Sequence, residues 1–358
     1  MRIAHLVDEP YDSGIAHYAL AAARGLRDAG HDVEVWGRPG LFPLQEAQRA
    51  GLRTRPIAGI ADLWSVRKAI RLRGIELLNA HTGSSHTLAV ALAQSTPRGP
   101  RVVRTRADAR PVKLNPGGRV LWARTAGFIA PTERILGEFR QVYPKARCPS
   151  AAVYPGFDSP GAAPEPRGAW RVGMVARLDP VKGHEDFLRA AALAAQRFPE
   201  AQFAVAGREE NVRKGQLEAL VSNLGLRGRV EVLGHVEDAL AFMASCHIGV
   251  IASTGSEAVS RVAVEWMSLG RPLIATSVGC LAEFADQGRS ASLVPPGDPR
   301  ALGAALTALL GDPAERRALG RRARERFEAA FALPRFVRET EGFYNRLLAD
   351  RDSLRARA

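Results

Sequence analysis

IGVIASTGSEAVSRVAVEWMSLGRPLIAT, residues 248–276, reads as strand, loop, helix, turn and strand. An apolar run at 248–252 is followed by a helical stretch that Gly270 stops, and 272–276 is a second apolar strand. A strand that meets its neighbour through a helix is the repeating unit of a parallel sheet with helices on both faces. The same alternation runs outward in both directions. Strand patterns at 170–176, 202–206 and 230–233 precede the stretch, 292–294 follows it, and 299–348 is nearly all helix. Upstream, strands are expected at 2–7, 32–36, 76–80, 101–105 and 127–130, with helices at about 14–29, 64–73 and 84–94 between them. Thr132 is placed to cap a further helix over 134–140.

The chain has 358 residues, more than one hydrophobic core usually supports, so two domains are expected. YPGFDSPGAAPEPRG, 154–168, carries four prolines and no apolar periodicity, and reads as the joint between them. The expected division is 1–154, a linker at 155–168, 169–333, and a final helical segment 334–358. Two doubly wound domains so joined create a cleft, the usual place for a ligand in such folds.

Composition is that of a folded globular protein, 46% hydrophobic and 24% charged. Cys148, Cys246 and Cys280 are widely spaced, which argues against a disulfide framework or zinc site and fits a reducing cytosol. The opening MRIAHLVDEP turns polar at once, and no apolar run of about 18 residues occurs, so neither a signal peptide nor a membrane span is expected. The net charge of +13 is uneven: residues 1–170 hold 24 basic against 14 acidic side chains, and 171–358 hold 26 against 23. An arginine-rich composition explains the residue choice, with only 5 lysines among 50 basic residues, but not the asymmetry. The first half is thus expected to meet an anionic partner.

Two segments carry chemistry. In the first, Glu257 follows the 248–252 strand and Glu265 lies eight residues on, expected two turns into the helix. A carboxylate at that strand end suits sugar hydroxyls, which are directional donors, and the helix-opening amides near Val259, Ser260 and Arg261 suit an anion. In the second, RVGMVARLDPVKGHEDFLRAA (171–191), Arg177 and Lys182 flank a turn between strand and helix, a pair able to neutralise a diphosphate. Taken alone, the glutamate pair is better explained as a cap and a solvated face, and the Arg–Lys pair as solvated surface. Between and after them lie AVAGRE (204–209), LGHVED (233–238) and VPPGDPRAL (294–302).

Taken in order, these motifs resemble glycosyltransferase family 4, the retaining GT-B enzymes, over about 170–310. The resemblance implies two Rossmann-like domains facing a cleft, with the nucleotide-sugar donor on the C-terminal side. It assigns Arg177 and Lys182 to the donor diphosphate, Glu257 to the transferred sugar and Glu265 to the ribose. Arg177, Lys182 and Glu257 become the catalytic candidates. Gly207, Val236, Val259, Ser260 and Arg261 join the donor site, with main-chain amides from Ala258 to Arg261 and Gly14 on the opposite domain. No metal and no cofactor beyond the donor are expected; the sole DxD match, Asp350-Arg351-Asp352, reads as charged surface. The 336–348 helix is expected to cross back to the first domain.

Three departures from the family pattern stand out. Glu257-Ala258-Val259-Ser260 replaces the usual Glu-Gly-Phe-Gly, which narrows the backbone approach. Ser13-Gly14 replaces a Gly-Gly turn after the first strand. Ala107 stands where many relatives have a histidine that touches sugar or acceptor. Ser13, His81, Arg106 and Asp108 are the acceptor-side candidates, with His81 at the cleft in ELLNAHTGSSH (76–86). Between Arg101 and Arg124 lie Arg104, Arg106, Arg110, Lys113 and Arg119, interleaved with Leu114, Val120, Leu121 and Trp122. That pattern suits an anionic membrane or a lipid-linked acceptor, and no nucleic-acid motif is present.

The expected reaction is retaining transfer of a sugar from a nucleotide diphosphate to a hydroxyl of a glycan or lipid-linked acceptor. The implied setting is lipopolysaccharide or exopolysaccharide assembly, in the cytoplasm or peripheral on the inner face of its membrane. Arg177, Lys182 and the helix-end amides stabilise the leaving diphosphate, and closure about the linker excludes water. The alternatives are a nucleotide-sugar epimerase of the same fold and a non-catalytic sugar-nucleotide binder, the latter favoured by Ala107.

Overall fold

The computed structural model describes residues 1–356 except Ala109, Asn115 and Ser256, and no side chain at 60, 116 or 350–356. The Asp350-Arg351-Asp352 triplet therefore lies outside the described side chains. The chain forms two compact units. One is Met1–Asp158 with Phe331–Ala358; the other is Ser159–Ala330.

The first unit runs β1 (Arg2–Leu6), α1 (Gly14–Asp28), β2 (Asp32–Gly37), α2 (Phe42–Arg49), β3 (Arg53–Pro56), α3 (Leu63–Arg73), β4 (Leu77–Ala80), α4 (Gly83–Gln94), β5 (Arg101–Thr105), α5 (Pro116–Trp122), β6 (Gly127–Ala130), α6 (Glu133–Val142) and β7 (Ser150–Ala152). Its seven strands are parallel in the order β3-β2-β1-β4-β5-β6-β7. Leu6, Trp36, Leu78 and Val102 are among the residues at its centre. Thr132 caps α6 by accepting from the Ile135 amide at 3.1 Å, as its side chain suggests.

Four elements of this unit are missing from the sequence reading, α2, β3, α5 and β7, and among residues 117–122 of α5 only Gly118 is buried. α2 buries only Pro43, Leu44 and Ala47. β3, RTRP, ends the sheet with an exposed Arg53, a half-buried Arg55 over the Trp36 ring and a proline, a composition that protects an edge. β7 is three residues long at the other edge. None of them buries a face wide enough to leave an apolar period.

The second unit runs β8 (Arg171–Val175), α7 (His184–Arg197), β9 (Gln202–Ala206), α8 (Lys214–Asn223), β10 (Val230–Gly234), α9 (Ala239–Ala244), β11 (Ile248–Ile251), α10 (Arg261–Ser268), β12 (Leu273–Thr276), α11 (Leu281–Phe284), β13 (Ser292–Val294), α12 (Pro299–Gly311) and α13 (Pro313–Ala330). Its sheet is also all parallel, β10-β9-β8-β11-β12-β13. These strands are mostly apolar because helices cover both faces.

The proline-rich stretch is held along its length. The Phe157 amide donates to the Phe331 carbonyl at 2.8 Å in the first unit. Past Ser159, the Ala163 amide donates to Leu269, Arg271 donates to the Ala163 and Pro164 carbonyls, and His247 Nε2 bonds the Pro166 carbonyl, all in the second unit. The chain then returns to the first unit as α14 (Leu333–Ala356). Phe336, Phe343, Tyr344 and Leu347 of α14 are buried there. Asn79 Nδ2 donates to the Tyr344 hydroxyl at 2.6 Å. Gly25 and Gly127 leave the room α14 fills: a Cβ on Gly25 would lie 2.2 Å from Val337, and one on Gly127 2.6 Å from Leu347. Among the described residues no helix is long and apolar enough to cross a membrane.

Candidate active site

In an open parallel sheet the strand order reverses at one point, and the loops there separate to leave a crevice at the carboxyl ends of the strands. In the second unit that point lies between β8 and β11. The loop after β8 carries Arg177 and Lys182, and the loop after β11 carries Glu257. Lys182 Nζ donates to Glu257 Oε1 at 2.5 Å, joining two residues 75 apart across this reversal. The carboxylate is almost wholly buried, and its Oε1 also accepts from Ser253 Oγ at 2.7 Å. An ammonium has three donors, so with one spent on Glu257 two remain for oxygens of a bound anion.

The turn that presents Lys182 is braced on three sides. Asp179 caps it through the Val181 amide at 3.0 Å and accepts from Asn211 Nδ2 at 2.6 Å. Slight burial pushes the Asp179 carboxyl upward, but these bonds and the Arg177 and Lys182 charges outweigh it and hold it below its ordinary value. The Thr254 amide donates to the Val181 carbonyl, tying the two loops together. Gly183 ends the turn at φ 71°, where a Cβ would lie 2.0 Å from the Ala252 carbonyl oxygen. Burial pushes the next residue, His184, down to about 4, so α7 opens on a neutral imidazole.

Arg177 is half exposed and pairs with Glu210 at 3.3 Å, not with Glu257. Gly207, after β9, lies against it: a Cβ there would be 1.7 Å from the Ala176 carbonyl oxygen, and its amide donates to Gly234 at 2.6 Å. Val236 is half-buried in the loop after β10. Glu257 is fixed from behind as well, since the Cys280 amide donates to its carbonyl at 2.8 Å and a Cβ on Gly279 would lie 2.0 Å from that same oxygen.

α10 begins at Arg261, with Ser260 buried at the cap position and its hydroxyl making no capping bond. Glu265 is therefore one turn into the helix rather than two, and it accepts from Arg261 Nε at 2.6 Å. The helix starts later than its periodicity suggests because Val259 and Ser260 belong to the loop. Ser253, Asp179, Asn211, Glu210 and Gly279 were not singled out by the sequence. Only Asp179-Pro180 carries a local signal, an N-cap followed by proline.

In the first unit Ser13 caps α1 by accepting from the Ala16 amide, and Gly14 opens that helix at the surface. His81 is not on any surface: it is fully buried, with its Nε2 3.0 Å from His5 Nδ1. His5 lies in β1 beside β4, and the sequence gives no hint of a partner 76 residues away. Arg106 and Asp108 are also drawn inward, as a bidentate pair with Arg104 and Arg110 around the same carboxylate. Burial pushes Asp108 up, but the Arg106 hydrogen bonds and the three guanidinium charges hold it below its ordinary value.

Burial pushes His5 down to about 3, and burial, with help from His5 and Arg104, holds His81 well below its ordinary value. Unfolded, both titrate near 6.5. The unfolded chain thus binds more protons between about pH 3 and 6.5, so stability is full above that window and falls as pH drops through it. Thermal melts at about pH 7.5 and 5.5 are expected to show a lower Tm at the acid value, and His81→Asn to shrink the difference.

Comparison with known proteins gives the family and the fold. Residues 13–159 match the family model described as Glycosyltransferase Family 4, and residues 169–312 match Glycosyl transferases group 1. An exopolysaccharide phosphotransferase of Streptomyces coelicolor is 29% identical over 77% of this chain and 29% of its own length. A phosphatidyl-myo-inositol mannosyltransferase of Mycolicibacterium smegmatis is 27% identical over 91% of this chain and 89% of its own. The chain spans about half the length of most of the curated relatives it matches. Anabaena HepE, solved with UDP, superposes with a TM-score of 0.82 at 19% identity, over 96% of this chain and 100% of that one. The two Rossmann-like units are those of the GT-B architecture, a family model matches each half, and the chain belongs to the group 1, family 4 glycosyltransferases.

Proposed function

We propose that the chain transfers a sugar from a nucleotide diphosphate to an acceptor hydroxyl with retained anomeric configuration. The observation that carries the reading is the Lys182–Glu257 contact at the β8/β11 reversal, which sets a cation and a sugar-binding carboxylate side by side. UDP in HepE, a protein of the same fold, supports a nucleotide donor. Lys182 and Arg177 neutralise the diphosphate, Glu257 accepts from sugar hydroxyls, and Glu265 accepts from the ribose. The acceptor oxygen attacks the anomeric carbon as the bond to the leaving phosphate breaks. That electron pair stays on the phosphate oxygen, which takes the acceptor proton. Cations and helix-opening amides fixed at the leaving oxygen supply the main stabilisation.

UDP-, GDP- and ADP-sugars are to be screened by thermal shift against the wild type and Glu265→Ala. One donor at about 100 times its Kd is expected to add about 2.7 kcal/mol to the wild type and much less to the variant. A donor that is bound but never consumed, with any acceptor, supports the non-catalytic alternative. The anomer of the product, read by NMR, tests retention.

The first unit is proposed to meet anionic lipid through part of the basic segment. Arg104 is buried, Arg106 is engaged by Asp108, and Leu121 and Trp122 pack inward. The outward set is Arg110, Lys113, Arg119 and Arg124 with Leu114 and Val120. Vesicles with anionic headgroups are expected to sediment the protein, and neutral vesicles not. Arg119→Glu with Val120→Glu is expected to abolish the binding at unchanged Tm, because both side chains are exposed.

A further inference from the structure

The first unit has its own strand-order reversal, between β1 and β4, and a cavity of about 270 Å³ opens beside it. Four adjacent strands, β3, β2, β1 and β4, direct their carboxyl ends or following loops into it. Leu6, Trp36, Ile57, Leu63 and Leu88 make its walls apolar. Gly37 keeps the end of β2 close to β1, since a Cβ there would lie 2.6 Å from the Val7 carbonyl oxygen. The rim is polar. Asp8 accepts from Ser84 Oγ at 2.6 Å on one oxygen and pairs with Arg38 Nε at 2.8 Å on the other. A carboxylate has about four lone-pair sites, so Asp8 can accept further hydroxyls beyond these two partners.

We propose that this cavity is the acceptor site and that the acceptor is an amphiphile: an apolar group enters between Ile57, Leu63 and Leu88 while its hydroxyl-bearing head accepts from Arg38 and donates to Asp8. The assignment rests on the glycosyl-transfer reading above. The chemistry follows from the contrast between wall and rim. A free polyhydroxylated sugar gains nothing from five apolar walls, and a plain hydrocarbon leaves a charged pair unused. The position agrees, because ligands of parallel sheets bind at the carboxyl edge where the strand order reverses.

The test uses the full chain and the probes methyl, butyl, hexyl and octyl β-D-glucopyranoside, with affinity measured by titration calorimetry. Affinity is expected to rise up to about fourfold per methylene until the cavity is filled. Gly59→Trp plugs the mouth: Gly59 is exposed, and a Cβ there meets nothing within 4 Å, so the variant is expected to fold. It should lose the chain-length dependence and keep the nucleotide-sugar thermal shift. Asp8→Asn should weaken every member of the series about tenfold while keeping the slope. Equal affinity for methyl and octyl glucoside overturns the proposal, as does a slope unchanged by Gly59→Trp. A dimer in sedimentation that Gly59→Trp dissociates would give the cavity to a second copy of the chain instead. Chain-length-dependent binding with no shift by any nucleotide sugar would overturn the transfer reading, and the acceptor role with it, while the amphiphile site stands.

Discussion

Lys182→Ala is expected to cut transfer by about 10²–10³-fold at saturating donor, the usual effect of removing one preorganised group at the developing charge. Lys182 stands on a turn held by Asp179, Asn211 and Thr254, so its ammonium needs little reorganisation when charge develops on the leaving phosphate. The loss should fall mainly on kcat, because the charge is greatest in the transition state. Tm should also drop, since the variant leaves the buried Glu257 carboxylate with Ser253 alone. Lys182→Arg is not expected to rescue the rate: a planar fork cannot sit where a compact ammonium meets both Glu257 and an anion. Initial rates on purified variants decide the point. A Lys182→Ala enzyme within about threefold of wild type would remove Lys182 from the chemistry.

Gly183→Ala is expected to be among the most damaging single methyl groups in the second unit. Two costs add. The left-handed backbone is worth about 1–2 kcal/mol against any residue with a Cβ. The added atom is also driven against the Ala252 carbonyl, a backbone group that cannot rotate away, and overpacking of this kind costs about 1–3 kcal/mol. For a unit of this size the sum corresponds to a Tm lower by on the order of 10 °C. Because Gly183 adjoins Lys182, donor affinity should fall too, even well below the melting temperature. A Tm within about 2 °C of wild type would show that the turn can relax.

What the sequence yielded followed from what is local. Strands 101–105, 127–130, 202–206 and 292–294 match the structure residue for residue, because buried parallel strands are apolar runs between turn signals. The Thr132 cap is local as well. β3 and α2 escaped because an edge strand and its helix bury little and leave no period. In the site, the order of motifs supplied Arg177, Lys182, Glu257 and Glu265, but their partners came only with the fold. Ser253 reaches Glu257 by way of a loop, Asn211 reaches Asp179 across 32 residues, and His5 removes His81 from the surface. The basic segment shows the same limit from the other side: charge alone did not distinguish buried Arg104 from exposed Arg119.

The return of α14 has a consequence for synthesis. Met1–Asp158 leaves the ribosome without the helix that covers Gly25, Gly127 and Asn79, and α14 follows only after the whole of Ser159–Ala330. At about 5–20 residues per second that delay is on the order of 10–30 s. The second unit, continuous in the chain, can complete its core as it emerges. The first must wait with an apolar groove open, and in that interval it is a natural client for a chaperone.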